Sequence, residues 1–151
     1  MIANNKKGIQ LYEFNLLQHE KHLVHFVTTR NGGYSNGYHR SLNLSYKVDD
    51  RKTIVDKKRN KLAFSLNVPE DKMLFPDQCH TDFVLEVNEN TTENELNETD
   101  ALITKSKNVC LVVLTADCVP ILLYDRKNKA VAAIHSGWRG TIGRIVARTI
   151  E

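Results

Sequence analysis

Hydrophobic residues in the first half of the chain form two short runs, followed by a segment with helical periodicity. Residues 8–13 and 23–29 are β-branched and aromatic, which predicts two strands. Residues 30–45 are polar and contain three glycines, so they predict a long loop of a kind that is usually functional or mobile. The periodic segment after the loop predicts a helix. Its predicted boundaries are Asp49 or Asp50 at the start, and Asn67 and Pro69 at the end.

Apolar runs in the second half alternate with polar segments and predict dense β structure. Residues 73–75 and 83–87 predict short strands around a polar segment, and the acidic residues 88–100 predict a surface loop. The continuous apolar runs that follow are typical of strands covered on both faces. They lie at 101–104, 109–114, 120–125 and 130–135, and the last leads through a glycine-containing turn into a predicted helix at 141–150.

Length and composition are those of an ordinary globular protein. The 151 residues suit a single compact domain, and 41% of them are hydrophobic and 26% charged. A net charge of only +3, with Lys and Arg dispersed along the chain, predicts no nucleic-acid partner. The first residues contain no apolar run typical of a signal peptide, and the longest apolar stretch, 109–114, is too short to cross a bilayer. We therefore expect a cytoplasmic protein with no membrane partner.

Three side chains that can bind a metal lie near the ends of predicted strands. His80, Cys118 and His135 offer two imidazoles and a thiolate, a donor set that suits Zn²⁺ and leaves a fourth position open, as in catalytic zinc sites. Their spacing matches no local zinc motif, so spacing alone leaves buried structural Cys and His as the alternative. Cys79 precedes His80, and because successive strand residues point to opposite faces, only one of the two is expected to reach the site.

Five strings along the chain carry the most distinctive motifs, with TADC at 115–118 and HSGWRG at 135–140 the most specific. The strings are TTRNGGYSNGYHRSLNL, FPDQCHTD, TDALIT, LTADCVPILLYD and AAIHSGWRGTIGRIV. From about His25 to the end of the chain they resemble, in order, the YfiH family, also called the laccase-domain or polyphenol-oxidase-like family. The resemblance implies an α+β fold with α/β/β/α layers and mixed sheets. It also implies that His80, Cys118 and His135 are metal ligands.

The resemblance further implies phosphorolysis of adenosine, inosine, guanosine and methylthioadenosine, with deamination of adenosine. Zn²⁺ is then the expected cofactor, with Cu²⁺ as an alternative, and the partners are a purine nucleoside and phosphate. Phosphate favours arginine, which forms charge-assisted bidentate hydrogen bonds. The arginine candidates are Arg30, Arg139 and Arg40, the last close to Asn43, which is also a candidate for substrate binding, although each arginine could instead lie on the surface or pair with a carboxylate. Asp117 is a candidate catalytic residue, as a proton donor or as a group that orients a ligand histidine, with a simple turn residue as the equal alternative.

Some features depart from the resemblance or from its simplest interpretation. Thr81 stands where many relatives have glycine, and Ser136 where alanine is common, both small changes beside predicted ligands. Relatives continue past the last helix into a further region, so we expect a single domain over 1–151 that is truncated at its C-terminus. Trp138 could stack on a purine, but an aromatic residue at a strand-to-helix turn is more often part of a core.

Three other functions compete with the phosphorylase interpretation. A cysteine hydrolase, such as a peptidoglycan-editing enzyme, would use Cys118 as nucleophile and His135 as base, which involves the same residues. A copper-dependent polyphenol oxidase needs many imidazoles, whereas this chain has six histidines and one plausible cluster. A metal that only stabilises the fold is the non-catalytic alternative. The sequence predicts no particular oligomeric state.

Overall fold

A three-stranded antiparallel sheet and one long helix make up the first of two compact units, Met1–Glu70 and Asp71–Glu151. The computed structural model describes every residue from Met1 to Glu151. In the first unit the strands pair in chain order. The elements are β1 (Ile2–Lys6), β2 (Ile9–Glu13), β3 (Val27–Thr28) and α1 (Lys52–Leu66).

The hairpin of β1 and β2 is closed by Lys7 and Gly8, which both have positive φ, as a two-residue turn matched to the strand twist requires. The alternate residues Ile9 and Leu11 are fully buried, so one face of β2 contributes to the core of this unit. Helix α1 ends as predicted at Asn67, which adopts the left-handed conformation of a helix C-terminus.

The start of α1 differs from the prediction, because neither aspartate caps the helix. Arg51 is the first flanking residue, and no side chain caps the helix there. Asp50 instead forms a buried ion pair with Lys58, with 2.6 Å between Lys58 Nζ and Asp50 Oδ2. Lys58 is fully buried and also donates to Ser35 Oγ at 2.6 Å, so the predicted loop is tied to the helix by a buried polar network.

The second unit contains a mixed four-stranded sheet, a separate pair of parallel strands and two short helices. The four-stranded sheet has the order β5-β6-β9-β8, in which β5 and β6 are parallel and the other pairs are antiparallel, while β4 pairs with β7. The elements are β4 (Met73–Leu74), β5 (Val84–Glu86), β6 (Ala101–Thr104), β7 (Cys110–Leu111), β8 (Val119–Asp125), β9 (Ala130–Ser136), α2 (Trp138–Ile142) and α3 (Ile145–Ile150).

Both faces of the four-stranded sheet are covered within this unit. Ala101 on one face packs with Ile134 and with Ile145 of α3. Leu102, the next residue, points to the other face and packs in a cluster with Leu74 of the two-stranded sheet. Residues 71–151 therefore stack a helix, a sheet and a second sheet. The prediction of an α+β fold with mixed sheets is confirmed.

Three predicted elements are shorter or divided in the structure. Residues 23–29 and 109–114 form strands only at Val27–Thr28 and Cys110–Leu111, where a neighbouring strand is available for pairing. The helix predicted at 141–150 is two helices, because Arg144 adopts a left-handed conformation (φ 62°) that interrupts the helical path between α2 and α3. Four short 3₁₀ turns complete the chain, at Asn15–Leu17, Gly37–His39, Glu70–Lys72 and Glu93–Leu96.

No helix of the protein has the length and apolar character needed to traverse a lipid bilayer. The assignment of residues 1–151 to a single domain stays a prediction.

Candidate metal centre

Strand pairing brings the three predicted metal ligands together, although they are far apart in the sequence. His135 lies in β9 opposite Pro120 of β8, so Cys118, just before β8, is placed at the same end of the sheet. His80 lies in the segment between β4 and β5. The potential ligand atoms of all three residues lie within 4.8 Å of one another.

The geometry of this cluster, His80, Cys118 and His135, suits a small metal ion. Bond lengths of about 2.0–2.3 Å put the donor atoms of a tetrahedral zinc site roughly 3.3–3.8 Å apart. Cys118 Sγ and His80 Nε2 are 3.7 Å apart, within that range. The two imidazole rings are nearly perpendicular, at 82°, with 4.8 Å between their centroids. Two nitrogens and one sulfur are donors that zinc prefers, so the residues present fit the ion that the resemblance implies.

Burial across the cluster is graded. His135 is 3% exposed, Cys118 is partly buried and His80 is exposed. The cluster is therefore anchored in the sheet on one side and open to solvent on the other. A fourth ligand, such as water or part of a substrate, has access from the open side.

Asp100 forms hydrogen bonds with two of the ligands, although the sequence did not indicate a role for it. Its carboxylate is fully buried, and Oδ1 lies 2.6 Å from His135 Nδ1. The backbone N–H of His80 also donates to Oδ1, at 3.1 Å. Burial raises the pKa of Asp100, but the hydrogen bonds from His135, Thr81 and Cys79 outweigh it and hold the pKa below its usual value. Asp100 lies in the string TDALIT, where its position before β6 was the only available signal.

Gly137 provides the space in which two ligands approach the end of β9. A Cβ at this position would lie 2.8 Å from His80 Cδ2 and 3.4 Å from Cys118 Sγ. The backbone there is extended (φ −71°), so the requirement for glycine is steric, not conformational.

Gln78 anchors the segment that contains His80, because its side-chain amide both donates to Leu114 O and accepts from Leu114 N at 2.7 Å.

The neighbouring residue Cys79 is not part of the cluster, so only one of the two residues reaches the site as predicted, although they lie in a turn and not in the strand on which that prediction was based. Its Sγ lies 3.3 Å from the backbone oxygen of Asp77, while His80 supplies the donor atom. All three cysteines are free of disulfide bonds.

The other predicted site residues of this unit are on the surface. Asp117 is exposed and makes no hydrogen bond or ion pair with the cluster. Arg139 is exposed, and its guanidinium carbon lies 5.2 Å from the centre of the Trp138 ring. Trp138 is 67% exposed, so the expectation that it belongs to a core is wrong: α2 begins at this residue and leaves the indole in solvent.

Arg30 and Asn43 lie in the unit formed by residues 1–70, where both contact that unit's own backbone. Arg30 Nε donates to Arg40 O at 2.6 Å, and Asn43 Nδ2 donates to Ser45 O and to Asp50 Oδ2 at 3.0 Å. The catalytic, substrate-binding and phosphate-binding roles of Asp117, Arg30, Asn43 and Arg139 stay predictions.

Comparisons with known proteins give consistent results. A purine nucleoside phosphorylase of Bacteroides thetaiotaomicron is 35% identical over 151 residues, which cover 95% of this chain and 56% of that protein. Adenosine deaminase RL5 from an unidentified prokaryote is 33% identical, with 95% of this chain and 57% of that protein covered. The crystal structure of the hypothetical protein YfiH from Bacillus licheniformis matches with a TM-score of 0.76 and 33% identity, and covers 83% of this chain and 49% of that one.

The chain thus spans about half the length of the curated relatives it matches. Residues 24–151 match the family described as multi-copper polyphenol oxidoreductase laccase. The matched range includes His80, Cys118 and His135. The resemblance to YfiH is confirmed, and the chain belongs to the multi-copper polyphenol oxidoreductase laccase family.

Proposed function

We propose that the protein is a zinc-dependent purine nucleoside phosphorylase with adenosine deaminase activity. The observation that carries the proposal is the convergence of the ligand atoms of His80, Cys118 and His135 within 4.8 Å, with one side open to solvent. Relatives named purine nucleoside phosphorylase and adenosine deaminase support the reaction class. The proposed substrates are adenosine, inosine, guanosine and methylthioadenosine, with phosphate as the second substrate.

The chain's own residues have distinct tasks in this proposal. When bound, Zn²⁺ would supply a Lewis acid at a position that water or substrate can reach. Asp100 orients His135, and Gly137 gives His80 and Cys118 room to approach each other. The open side of the cluster admits the nucleoside.

Arginine side chains are the proposed phosphate ligands. Arg139 is exposed, and it lies two residues after Gly137, whose added Cβ would touch both His80 and Cys118. A guanidinium binds phosphate through paired, charge-assisted hydrogen bonds that an ammonium cannot reproduce. Arg30 and Asn43 are proposed to contribute to substrate binding, and Asp117 to proton transfer. A cytoplasmic location and the absence of nucleic-acid and membrane partners also stay predictions.

The test combines metal content with turnover on the intact 151-residue chain. Zinc is measured by mass spectrometry, and phosphorolysis is followed with adenosine plus phosphate, for the wild type and for Cys118→Ala. Cys110→Ala is the matched control, because Cys110 is a thiol in β7 outside the cluster. We expect about one zinc per chain and turnover in the wild type and the control, and neither in Cys118→Ala. A wild type without zinc overturns the metal site, and zinc without turnover overturns the proposed reaction for this chain.

A cysteine hydrolase is the second candidate, favoured by the 3.7 Å contact between Cys118 Sγ and His80 Nε2. In the structure His80 is the imidazole in contact with the thiol, while Asp100 binds His135. Iodoacetamide separates the candidates: zinc protects a ligand thiolate, whereas a free nucleophile is alkylated. Burial raises the pKa of Cys110 to about 11, so that thiol should stay unmodified at pH 8. Exposed Cys79 should react with or without zinc and reports reagent access.

Copper oxidase chemistry has less support. The structure shows one cluster of three metal-binding side chains, whereas the blue-copper and trinuclear centres of a multicopper oxidase need many more imidazoles. Dye oxidation that requires added copper and disappears with stoichiometric zinc would show that copper merely occupies the zinc site.

A further inference from the structure

We propose that Asp100 is a positioning residue for both histidine ligands: it selects the tautomer of His135 and holds the backbone turn that presents His80. The inference rests on the proposed metal site, which supplies the reason for such positioning. It concerns side chains and backbone of this chain alone, so part of its test needs no metal.

Five polar groups lie within hydrogen-bond distance of one buried carboxylate. Oδ1 lies 2.6 Å from His135 Nδ1 and accepts from the backbone N–H of His80 at 3.1 Å. Oδ2 accepts from the backbone N–H groups of Cys79 and Thr81, at 3.0 and 2.8 Å, and from Thr81 Oγ1 at 2.9 Å. Three successive backbone N–H groups, of residues 79, 80 and 81, therefore point at Asp100, an arrangement that favours an anion.

The donor set determines which nitrogen of His135 carries the proton. The three backbone N–H groups of residues 79–81 can only donate, and together they stabilise the ionised form of Asp100 over the neutral acid, so both carboxylate oxygens accept. Nδ1 of His135 must then be the donor, which leaves the lone pair on Nε2. Nε2 is thereby fixed as the atom available to a metal, as in other histidine ligands that donate to a carboxylate.

The same carboxylate supports the unusual backbone of the other ligand. His80 has a φ of 61°, a left-handed conformation that is uncommon for residues other than glycine. The hydrogen bonds from residues 79–81 to Asp100 stabilise this turn, and the turn places the His80 ring beside Cys118. The two histidines are far apart in the sequence, yet a single side chain orients both.

Replacing Asp100 with asparagine should disturb one ligand whichever way the amide faces. If the amide oxygen takes the place of Oδ2, the NH₂ faces His135 Nδ1, which must then accept, and the proton moves to Nε2. If the oxygen takes the place of Oδ1, the NH₂ opposes the N–H groups of Cys79 and Thr81, and the turn that presents His80 is destabilised. Thr81→Val is a milder variant, because it removes the hydroxyl and its contacts with Asp100, Glu98 and Phe83 but leaves the carboxylate and the three backbone N–H groups in place.

Two measurements test the proposal on the intact chain. Zinc affinity is measured by competition with a chromophoric chelator for the wild type, Asp100→Asn and Thr81→Val. Long-range ¹H–¹⁵N NMR of the metal-free protein, at a pH where the ring is neutral, reports the tautomer of His135. Thr104→Val is the control, because it removes a buried hydrogen bond at the other end of the same strand, from Thr104 Oγ1 to Val87 O at 2.6 Å.

We expect the Nδ1–H tautomer in the wild type, zinc binding weakened by about 10–100-fold in Asp100→Asn, and a smaller loss in Thr81→Val. Thr104→Val should lower thermal stability without changing zinc affinity. A folded Asp100→Asn with wild-type zinc affinity and wild-type tautomer overturns the proposal. If Asp100→Asn does not fold, the wild-type spectrum decides, because an Nε2–H tautomer overturns it. A wild type that binds no zinc overturns the metal site, while the tautomer still tests Asp100.

Discussion

At Gly137, one added methyl group should weaken zinc binding while leaving the stability of the fold largely unchanged. Its Cβ would lie 2.8 Å from His80 Cδ2, so Gly137→Ala should displace the His80 ring and weaken zinc binding by at least about tenfold. The backbone conformation itself tolerates alanine. Zinc affinity by chelator competition and the thermal midpoint of each variant check this expectation.

Gly37→Ala is the matched control for that experiment. Gly37 has a φ of +61° and no atom within 4 Å of an added Cβ, so alanine there strains only the backbone. We expect it to cost about 1 kcal/mol of stability and to leave zinc affinity unchanged. Equal zinc affinity in Gly137→Ala and the wild type would show that the ligands do not need this space.

Among single residues, the sequence predicted the three metal ligands but not Asp100, the residue that positions two of them. His80, Cys118 and His135 follow from their chemistry and from motifs, and the structure brings them together. Asp100 escaped prediction because its role depends on strand pairing that places the start of β6 beside both the 79–81 turn and β9. No local spacing encodes that proximity.

Helix α1 contains a buried lysine whose removal should be severe. Lys58 is fully buried and pairs with Asp50 at 2.6 Å, so Lys58→Met leaves the largely buried Asp50 carboxylate without its counter-charge, with hydrogen bonds only from Ser35 and Asn43. We expect a loss of about 3–5 kcal/mol in the free energy of unfolding, measured by urea denaturation followed by circular dichroism. Lys57→Met, on the exposed face of the same helix, should change stability by less than about 0.5 kcal/mol. Similar losses in both variants would contradict a role for the ion pair.

Asp50, the partner of Lys58, should make the free energy of unfolding depend on pH in the acidic range. Burial raises the pKa of Asp50, but hydrogen bonds from Lys58, Asn43 and Ser35 outweigh it and hold the pKa far below its usual range. As pH falls below about 4, the unfolded chain binds a proton at Asp50 and the folded chain does not, so the free energy of unfolding decreases. Asp50→Asn should be less stable at pH 7 and lose stability less steeply between pH 5 and pH 3. Parallel pH profiles in urea denaturation would rule out this contribution.

Strands were predicted well where the apolar run is continuous, and poorly where the length of a strand depends on a neighbouring strand with which to pair. The apolar runs at 101–104, 120–125 and 130–135 match β6, β8 and β9 within one residue. The runs at 23–29 and 109–114 are reduced to two paired residues each, because partner availability is set by tertiary structure. The interruption between α2 and α3 was also missed, because arginine ordinarily continues a helix and nothing in the sequence indicates the left-handed backbone of Arg144.

For the whole molecule, the sequence predicted the class of the fold but not its order of strands. Continuous apolar strands indicated a sheet covered on both faces, and residues 71–151 have that sheet, with Ile145 of α3 on one face and Leu74 of β4 on the other. The order β5-β6-β9-β8 mixes parallel and antiparallel pairs, which runs of apolar residues cannot distinguish. Only the resemblance implied mixed sheets.

The same packing predicts what chelation will do. The clusters around Leu102 and Ile134 contain none of the three proposed ligands, and Asp100 binds His135 without a metal. We therefore expect the chain to stay folded after zinc is removed, with near-ultraviolet circular dichroism largely unchanged. Zinc at about 100 times its dissociation constant should add about 2.7 kcal/mol to the free energy of unfolding, and nothing in Cys118→Ala. Hydrogen exchange should slow mainly around residues 78–81, 118 and 135. Unfolding upon chelation would instead favour a metal whose role is to stabilise the fold.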